Sequence, residues 1–188
     1  MILTAMLYAT TANADANDGD LFGYSLGERY TEQGNEEPGN GELLLIAASN
    51  PVKPAAVDRV FVLLTPISRS IGKIAGETWY DSGEDALVEY ERFRLILRDK
   101  YSHWESDEKA EQHFHVSNFV SGDYKLTLQV SGPHEGDQAG PYNRAFRFLL
   151  TLNFNPKTKA AIDFEAMAKA EIEQSAAGRY SKEEVQGL

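Results

Sequence analysis

Two histidines separated by one residue, His113 and His115, are the best candidate metal ligands in the sequence. If this stretch forms a strand, alternate residues point to the same face, so both imidazoles could reach one ion. His103 and His134 could complete such a site. The alternative is a pair of histidines on the solvated face of a strand with Phe114 buried between them, because two ligands do not make a metal site and no spacing places a third.

Trp104 is the candidate anchor for protein recognition, with His103 beside it. The surrounding residues are polar and acidic, and a partly exposed tryptophan in such a setting is typical of an interface anchor. The alternative is that Trp104 closes the open end of the hydrophobic core. Tyr142 is a further candidate binding residue, because it ends a loop over 132–142 that is long for a hairpin, and long loops often carry function.

Several other chemistries lack the residues they need. The chain contains no cysteine, which excludes disulfides, thiolate nucleophiles and cysteine zinc sites. The Gly-x-Ser-x-Gly motif of esterases and the glycine-rich nucleotide motifs are missing. Acid pairs such as Glu183–Glu184 lie in polar runs, which indicates solvated surface rather than a catalytic cleft. The sequence therefore predicts no cofactor and no enzymatic activity, with an unrecognised active site near His113 and His115 as the alternative.

Residues 1–16 have the pattern of the later part of a signal peptide. An apolar, uncharged run leads to two overlapping Ala-x-Ala sites, Ala12–Ala14 and Ala14–Ala16, as at a signal cleavage site. The usual positive charges are lacking, since Met1 is followed directly by Ile2. Either the true start lies upstream, or the segment is a frayed terminus or a docked first strand. We expect a periplasmic or secreted protein, with a cytoplasmic location as the alternative.

The formal net charge of −11 narrows the choice of partner. An acidic domain repels phosphate backbones and anionic lipid surfaces, which disfavours nucleic-acid binding and permits a basic protein partner. No run approaches the ~18 to 20 apolar residues of a membrane span, so we expect no stable membrane insertion. The sequence predicts no oligomeric state.

Hydrophobic patterning predicts six strands. Alternation is clearest over 124–130 and 146–154, as in a sheet with one solvated face. The other predicted strands are 43–48, 59–65, 70–80 and about 113–120. Residues 102–112 are polar and predict a loop or a short helical turn.

Two helices are predicted between and after these strands. The first begins at Asp81 or Ser82, and its apolar residues recur at spacings of three and four: Leu87, Tyr90, Phe93 or Arg94, Leu97 and Tyr101. The second begins with Asn155 as N-cap and Pro156 at the first helical position. Gly178 is predicted to end it.

These elements predict an α+β fold with a mainly antiparallel sheet of about five or six strands and two helices packed on one face. The predicted domain spans 43–178. It is preceded by the signal peptide at 1–16 and by an N-terminal segment, 17–42, with a mobile loop from Thr31 to Glu42, and it is followed by a C-terminal tail at 179–188. Within the N-terminal segment, the apolar stretch Leu21–Gly27 predicts a tight turn whose side chains enter the core.

Two segments together resemble small exported bacterial proteins of unknown function. One is Leu21-Phe-Gly-x-x-Leu-Gly27 after the leader, and the other is a strand ending in Thr65-Pro66, a return strand with Lys73-Ile74 and a helix ending in Lys100-Tyr101. The similarity covers about residues 20–101 and departs at Ser102, where glycine is expected. It implies an envelope protein with an α+β fold and brings no catalytic residue with it.

Taken together, the sequence predicts a non-enzymatic, exported module that binds another protein, with inhibition as one form of that binding. A cytoplasmic interaction or immunity-type protein is the alternative if the leader is not a signal peptide.

Overall fold

The architecture is an antiparallel sheet of eight strands with helices on one face. The computed structural model describes residues 18–32, 36–38, 43–111, 114–134 and 144–186. The sheet strands are β3 (Glu36–Pro38), β4 (Leu44–Ala47), β5 (Arg59–Leu64), β6 (Ile71–Tyr80), β7 (Glu105–Glu111), β8 (Phe114–Ser121), β9 (Tyr124–Ser131) and β10 (Phe146–Phe154); a separate hairpin holds β1 (Asp20–Leu21) and β2 (Tyr24–Ser25). Their order across the sheet is β3-β4-β5-β6-β10-β9-β8-β7.

The predicted fold class and all six predicted strands are confirmed, and the sheet is wider than expected. The prediction of a loop at 102–112 is wrong for β7, which pairs with β8 along its whole length. Every residue of β7 is exposed, so the strand carries no apolar alternation that could reveal it. Likewise, β3 lies inside the predicted mobile loop and pairs with β4.

The first helix, α1 (Gly83–Lys100), begins after Ser82, whose side chain accepts hydrogen bonds from the backbone N–H groups of Glu84 and Asp85. Ser82 is therefore the N-cap, one of the two predicted choices. The helix packs on β6, β9 and β10. Its buried residues are Ala86, Tyr90, Phe93 and Leu97, which confirms the predicted apolar face apart from Leu87, a partly buried residue.

The second helix, α2 (Lys159–Gln186), starts later and ends later than predicted. Asn155 instead accepts a backbone hydrogen bond from Thr158 in a turn before the helix. Gly178 does not end the helix, so the predicted tail is helical as far as Gln186. A glycine inside a helix costs only about 1 kcal/mol relative to alanine, which neighbouring helical residues can offset.

The N-terminal segment is docked rather than loose over the residues that are described. Phe22 and Gly23 have positive φ angles of 56° and 85° and form the turn between β1 and β2. This turn buries Phe22 against the sheet at Gly76, where an added Cβ would lie 2.5 Å from the phenylalanine ring. The predicted tight turn with core-directed side chains is thus confirmed. The predicted signal peptide, residues 1–16, lies outside the described residues.

Both helices and the β1–β2 hairpin lie on the same side of the sheet, which we call the covered face. On this side, Phe93 of α1 meets Phe148 of β10 with ring centroids 5.0 Å apart. Phe164 of α2 packs on Phe154 and over Gly72. The opposite side carries no helix from the described part of the chain, and we call it the open face.

Candidate functional site

The open face is organised as rows of side chains that run across the strands. Antiparallel register places opposite residues of neighbouring strands side by side on one face. The central row contains Phe61, Ala75, Thr151, Thr127, Asn118 and Asp107. One flanking row contains Arg59, Glu77, Leu149, Gln129, Val116 and Lys109, and the other contains Leu63, Lys73, Asn153, Lys125, Val120 and Glu105.

A buried carboxylate forms the centre of the charged part of this face. Glu77 is only 3% exposed, and its carboxylate accepts hydrogen bonds from two arginines. Arg59 contacts one oxygen, and Arg147 donates to the other from Nη2 at 2.7 Å and from Nε at 2.9 Å. Because two guanidinium groups surround it, the cost of removing this carboxylate from water is offset by charge-assisted hydrogen bonds.

Lys73 adds a third cation to the same face. Burial lowers the pKa of its ammonium group, and the positive charge of Arg147 lowers that pKa further. No carboxylate forms an ion pair with Lys73 among the residues that the structure describes. Lys73 is therefore a half-buried cation of the open face.

Trp79 provides an aromatic surface at the edge of this cluster. The guanidinium carbon of Arg147 lies 5.7 Å from the Trp79 ring centroid, and the His134 ring meets the indole edge-on at 5.5 Å. Arg144 donates a hydrogen bond of 2.8 Å to the Trp79 backbone carbonyl. The indole N–H is buried and has no acceptor among the described residues. We call Arg59, Glu77, Trp79 and Arg147 the charged corner. It combines two guanidinium groups, a carboxylate, an aromatic ring and an indole N–H that has no acceptor among the described residues.

The central row becomes more polar toward β7. Thr127 donates to Asn118 at 2.9 Å, and Asn118 donates to Asp107 at 3.0 Å. Beyond this chain of hydrogen bonds, a cleft of about 380 Å³ opens at the end of the strands, lined by Glu105, Ser106, Asp107, Val120, Lys125, Asn155, Pro156 and Lys157. The open face therefore runs from a positively charged corner to a cleft that contains both acids and lysines.

The predicted interface residue Trp104 is buried rather than partly exposed, with 6% of its surface accessible. Its ring packs on Tyr101 at a centroid distance of 4.7 Å, and its N–H donates to Nε2 of His103 at 3.1 Å. The assumption of partial exposure is wrong, because the turn after α1 directs this side chain into the core. Trp104 closes the core and offers little surface to a partner.

The other two predicted binding residues are His103 and Tyr142. His103 is exposed and lines a depression of about 350 Å³ that shares Glu105, Val120 and Asn155 with the larger cleft. Tyr142 lies outside the described residues. Of the two candidates that the structure describes, His103 lines a concave surface and Trp104 is buried.

The predicted metal pair is described only in part. His115 lies on β8 opposite Val130, on the covered face, and its ring meets Tyr90 of α1 edge-on at 5.6 Å. The alternative, in which the histidines lie on the solvated face and Phe114 is buried, is wrong for the two described residues, because His115 is on the covered face and Phe114 is on the open face. His113 lies outside the described residues, so its pairing with His115 stays a prediction. Within the described ranges, no group of three or more His, Asp or Glu side chains could hold a metal ion.

The residues of the charged corner were not predicted as a site. Glu77 is 18 positions from Arg59 and 70 positions from Arg147 in the sequence, and only the strand register brings them together. The sequence shows only that each of these three residues is a charged position within a strand of β-forming residues. The sequence does not show that β10 lies beside β6, so it could not predict that Glu77 and Arg147 are in contact.

Comparisons with known proteins give no relative from which a function could be transferred. No family model, no curated protein and no solved structure matches the chain. Among the described helices, none has the length and apolar character needed to cross a membrane.

Proposed function

We propose that this chain is an exported, non-enzymatic module that binds another protein across the open face of its sheet. The observation that carries the proposal is a set of half-buried apolar side chains on the side of the sheet that no described helix covers: Phe61, Leu63, Val116, Val120 and Leu149. These apolar side chains alternate with polar and charged ones across the strands, and protein interaction surfaces combine apolar and polar groups in this way.

The edges of the sheet are less suited to a partner than its face. A partner strand could pair with a sheet edge only where backbone groups are free and the flanking side chains permit approach. At one edge, β7 reads Glu-Ser-Asp-Glu-Lys-Ala-Glu, and at the other, β3 reads Glu-Glu-Pro. Charged residues and proline at sheet edges oppose strand addition. We therefore assign the partner to the open face.

The net charge supports a partner that is basic overall. A formal charge of −11 attracts a positively charged protein from a distance and accelerates encounter. Such attraction acts on the association rate, whereas dissociation depends on the contacts that become desolvated. The open face supplies those contacts in this proposal.

The export part of the proposal depends on residues 1–16 and is tested separately. Expression in a bacterial host followed by fractionation and N-terminal sequencing should find the mature protein in the periplasm, beginning at Asp15 or Asn17. An intact Met1 in the cytosol would overturn export and favour the cytoplasmic interaction protein. It would leave the binding surface unaffected.

Partner capture with matched variants tests the binding surface. Wild-type protein, Leu149→Gln and Leu95→Gln would be immobilised and exposed to an envelope extract, with captured proteins identified by mass spectrometry. Leu149 lies on the open face, whereas Leu95 is 60% exposed on the outer side of α1. The same substitution should abolish capture at Leu149 and leave it intact at Leu95. Loss at Leu95 alone would place the partner on the helix, and thermal melts would confirm that both variants are folded.

A further inference from the structure

The cleft at the end of the strands carries opposite charges on its two sides. It has a volume of about 380 Å³, and we call Glu105 and Asp107 of β7 its acidic wall, and Lys125 of β9 and Lys157 after β10 its basic wall. Glu105, Val120 and Lys125 are successive neighbours across β7, β8 and β9. Neighbouring strands lie about 4.8 Å apart, so the backbones of Glu105 and Lys125 are about 10 Å apart, with Val120 between them.

The charged groups of the two walls do not neutralise one another. Among the described residues, Glu105, Lys125 and Lys157 form no ion pair. Asp107 accepts a hydrogen bond of 3.0 Å from the uncharged amide of Asn118. The cleft therefore offers two carboxylates on one side and two ammonium groups on the other to a ligand that enters between them.

Hydrogen bonds within the protein hold parts of both walls in place. On the acidic side, the bond from Asn118 orients the carboxylate of Asp107. On the basic side, the side chain of Asn155 donates to the backbone carbonyl of Gly122 at 3.0 Å and accepts from the backbone N–H of Lys157 at 3.3 Å. This ties the turn between β8 and β9 to the segment that carries Lys157. Ordering of a site before binding lowers the entropy that the ligand must overcome.

We infer that this cleft binds a small zwitterion, either an α-amino acid or a short peptide with free termini. The ammonium group of the ligand contacts the acidic wall, and its carboxylate contacts the basic wall. A ligand with one kind of charge is attracted by one wall and repelled by the other, whereas a zwitterion forms charge-assisted hydrogen bonds with both. The volume lies within the usual range for small-molecule sites, about 300–1,000 Å³. The inference goes beyond the proposed function and does not depend on it.

An NMR titration of the ¹⁵N-labelled protein with alanine and with dialanine tests the ligand class. Contacts between exposed charges are individually weak, so four of them correspond to a Kd on the order of 1 mM. N-acetyl-dialanine and dialanine amide each lack one charge and should bind at least about fivefold more weakly than dialanine. Tighter binding of dialanine than of alanine would identify a peptide, and the reverse an amino acid. No binding of either at about 10 mM, or equal binding of capped and uncapped dialanine, would overturn the inference.

Matched variants assign the two charges of the ligand to the two walls. Lys125→Met should reduce the preference for dialanine over its amide, because the ligand carboxylate then has one ammonium partner fewer. Glu105→Gln should reduce the preference for dialanine over its N-acetyl form. The control is Lys109→Met, since Lys109 pairs with Glu111 outside the cleft lining, and it should change neither preference. Equal effects of Lys109→Met and Lys125→Met would show that no local site exists. Thermal melts would confirm that each variant is folded.

The zwitterion site and the protein-binding surface can fail separately. Leu149 and Lys125 lie in different rows of the open face, on opposite sides of the central row. Leu149→Gln should therefore lose partner capture and still bind the zwitterion. Loss of zwitterion binding in a folded Leu149→Gln variant would contradict a site confined to the cleft. Capture of the partner by Leu149→Gln with zwitterion binding intact would overturn the proposed partner surface and leave the cleft site standing.

Discussion

The hydroxyl groups of Tyr90 and Ser117 lie 2.7 Å apart in a buried hydrogen bond that joins α1 to β8. Tyr90 is 3% exposed and Ser117 is 0% exposed. Water therefore cannot replace either partner if one is removed. This contact fixes the helix over the outer half of the sheet by a directional bond in a region that is otherwise held by apolar packing.

Removing one member of this pair should cost more than removing both. Tyr90→Phe leaves the Ser117 hydroxyl buried and unpaired, which should lower the free energy of unfolding by about 1–2 kcal/mol. Adding Ser117→Ala removes the unpaired hydroxyl and should recover part of that loss. Urea denaturation of the single and double variants measures the coupling. Strictly additive effects would contradict the hydrogen bond.

Two neighbouring residues of α1, Arg92 and Phe93, should differ strongly in how much their truncation to alanine destabilises the fold. Phe93 is 6% exposed and packs edge-on against Phe148, so Phe93→Ala should cost about 3–5 kcal/mol through lost burial and the cavity that remains. Arg92 is more than half exposed and pairs with Glu89 on the helix surface. Arg92→Ala should be nearly silent. Denaturant midpoints of the two variants would decide, and equal midpoints would show that the helix faces the sheet differently.

The buried carboxylate of Glu77 should matter to stability far more than a surface one. Glu77→Gln removes the charge that holds Arg59 and Arg147 together, and it should cost about 2 kcal/mol, since both arginines can still reach water. Glu111→Gln is the matched control, because Glu111 pairs with Lys109 on an exposed edge strand. We expect no measurable change for the control in thermal melts. Similar losses for both variants would mean that burial of Glu77 has no energetic role.

Alkaline pH should weaken the fold through the partly buried Tyr80. Burial raises the pKa of Tyr80 to about 12, with the nearby carboxylates of Glu89 and Asp58 adding to the shift. Between pH 10 and 12 the unfolded chain loses this phenol proton while the folded protein keeps it, so the free energy of unfolding falls as pH rises. Urea midpoints at pH 9, 10 and 11 should show the decrease, and Tyr80→Phe should flatten it. An unchanged slope in that variant would exclude Tyr80 as a source.

Much of the fold was predictable where one face of an element is buried and the other is solvated. The alternation of Leu126 and Leu128 with Lys125 and Thr127 identified β9, because burial on one side imposes a period of two. The spacing of Tyr90, Phe93 and Leu97 likewise identified the buried side of α1. Local pattern was sufficient in these elements.

The candidate site was not predictable, because it depends on register between distant strands. Glu77 meets Arg147 across a separation of 70 residues, and no local pattern in either strand specifies the other. For Trp104, the local sequence was misleading. Its polar neighbours suggested that the side chain is partly exposed, but it is buried in the core. Edge strand β7 has no large apolar residue, and all of its residues are exposed, so it contributes nothing to the core.

The central position of β10 governs when the sheet can form. The strands β3 to β6 and the strands β7 to β9 are two separate antiparallel sets, and only β10 pairs with both β6 and β9. A nascent chain that has not yet released residues 146–154 therefore has two incomplete sheets with unpaired inner edges. Pairing β10 with β6 also closes a long loop, which slows folding. The chain can therefore complete its central pairing only after residues 146–154 have been synthesised.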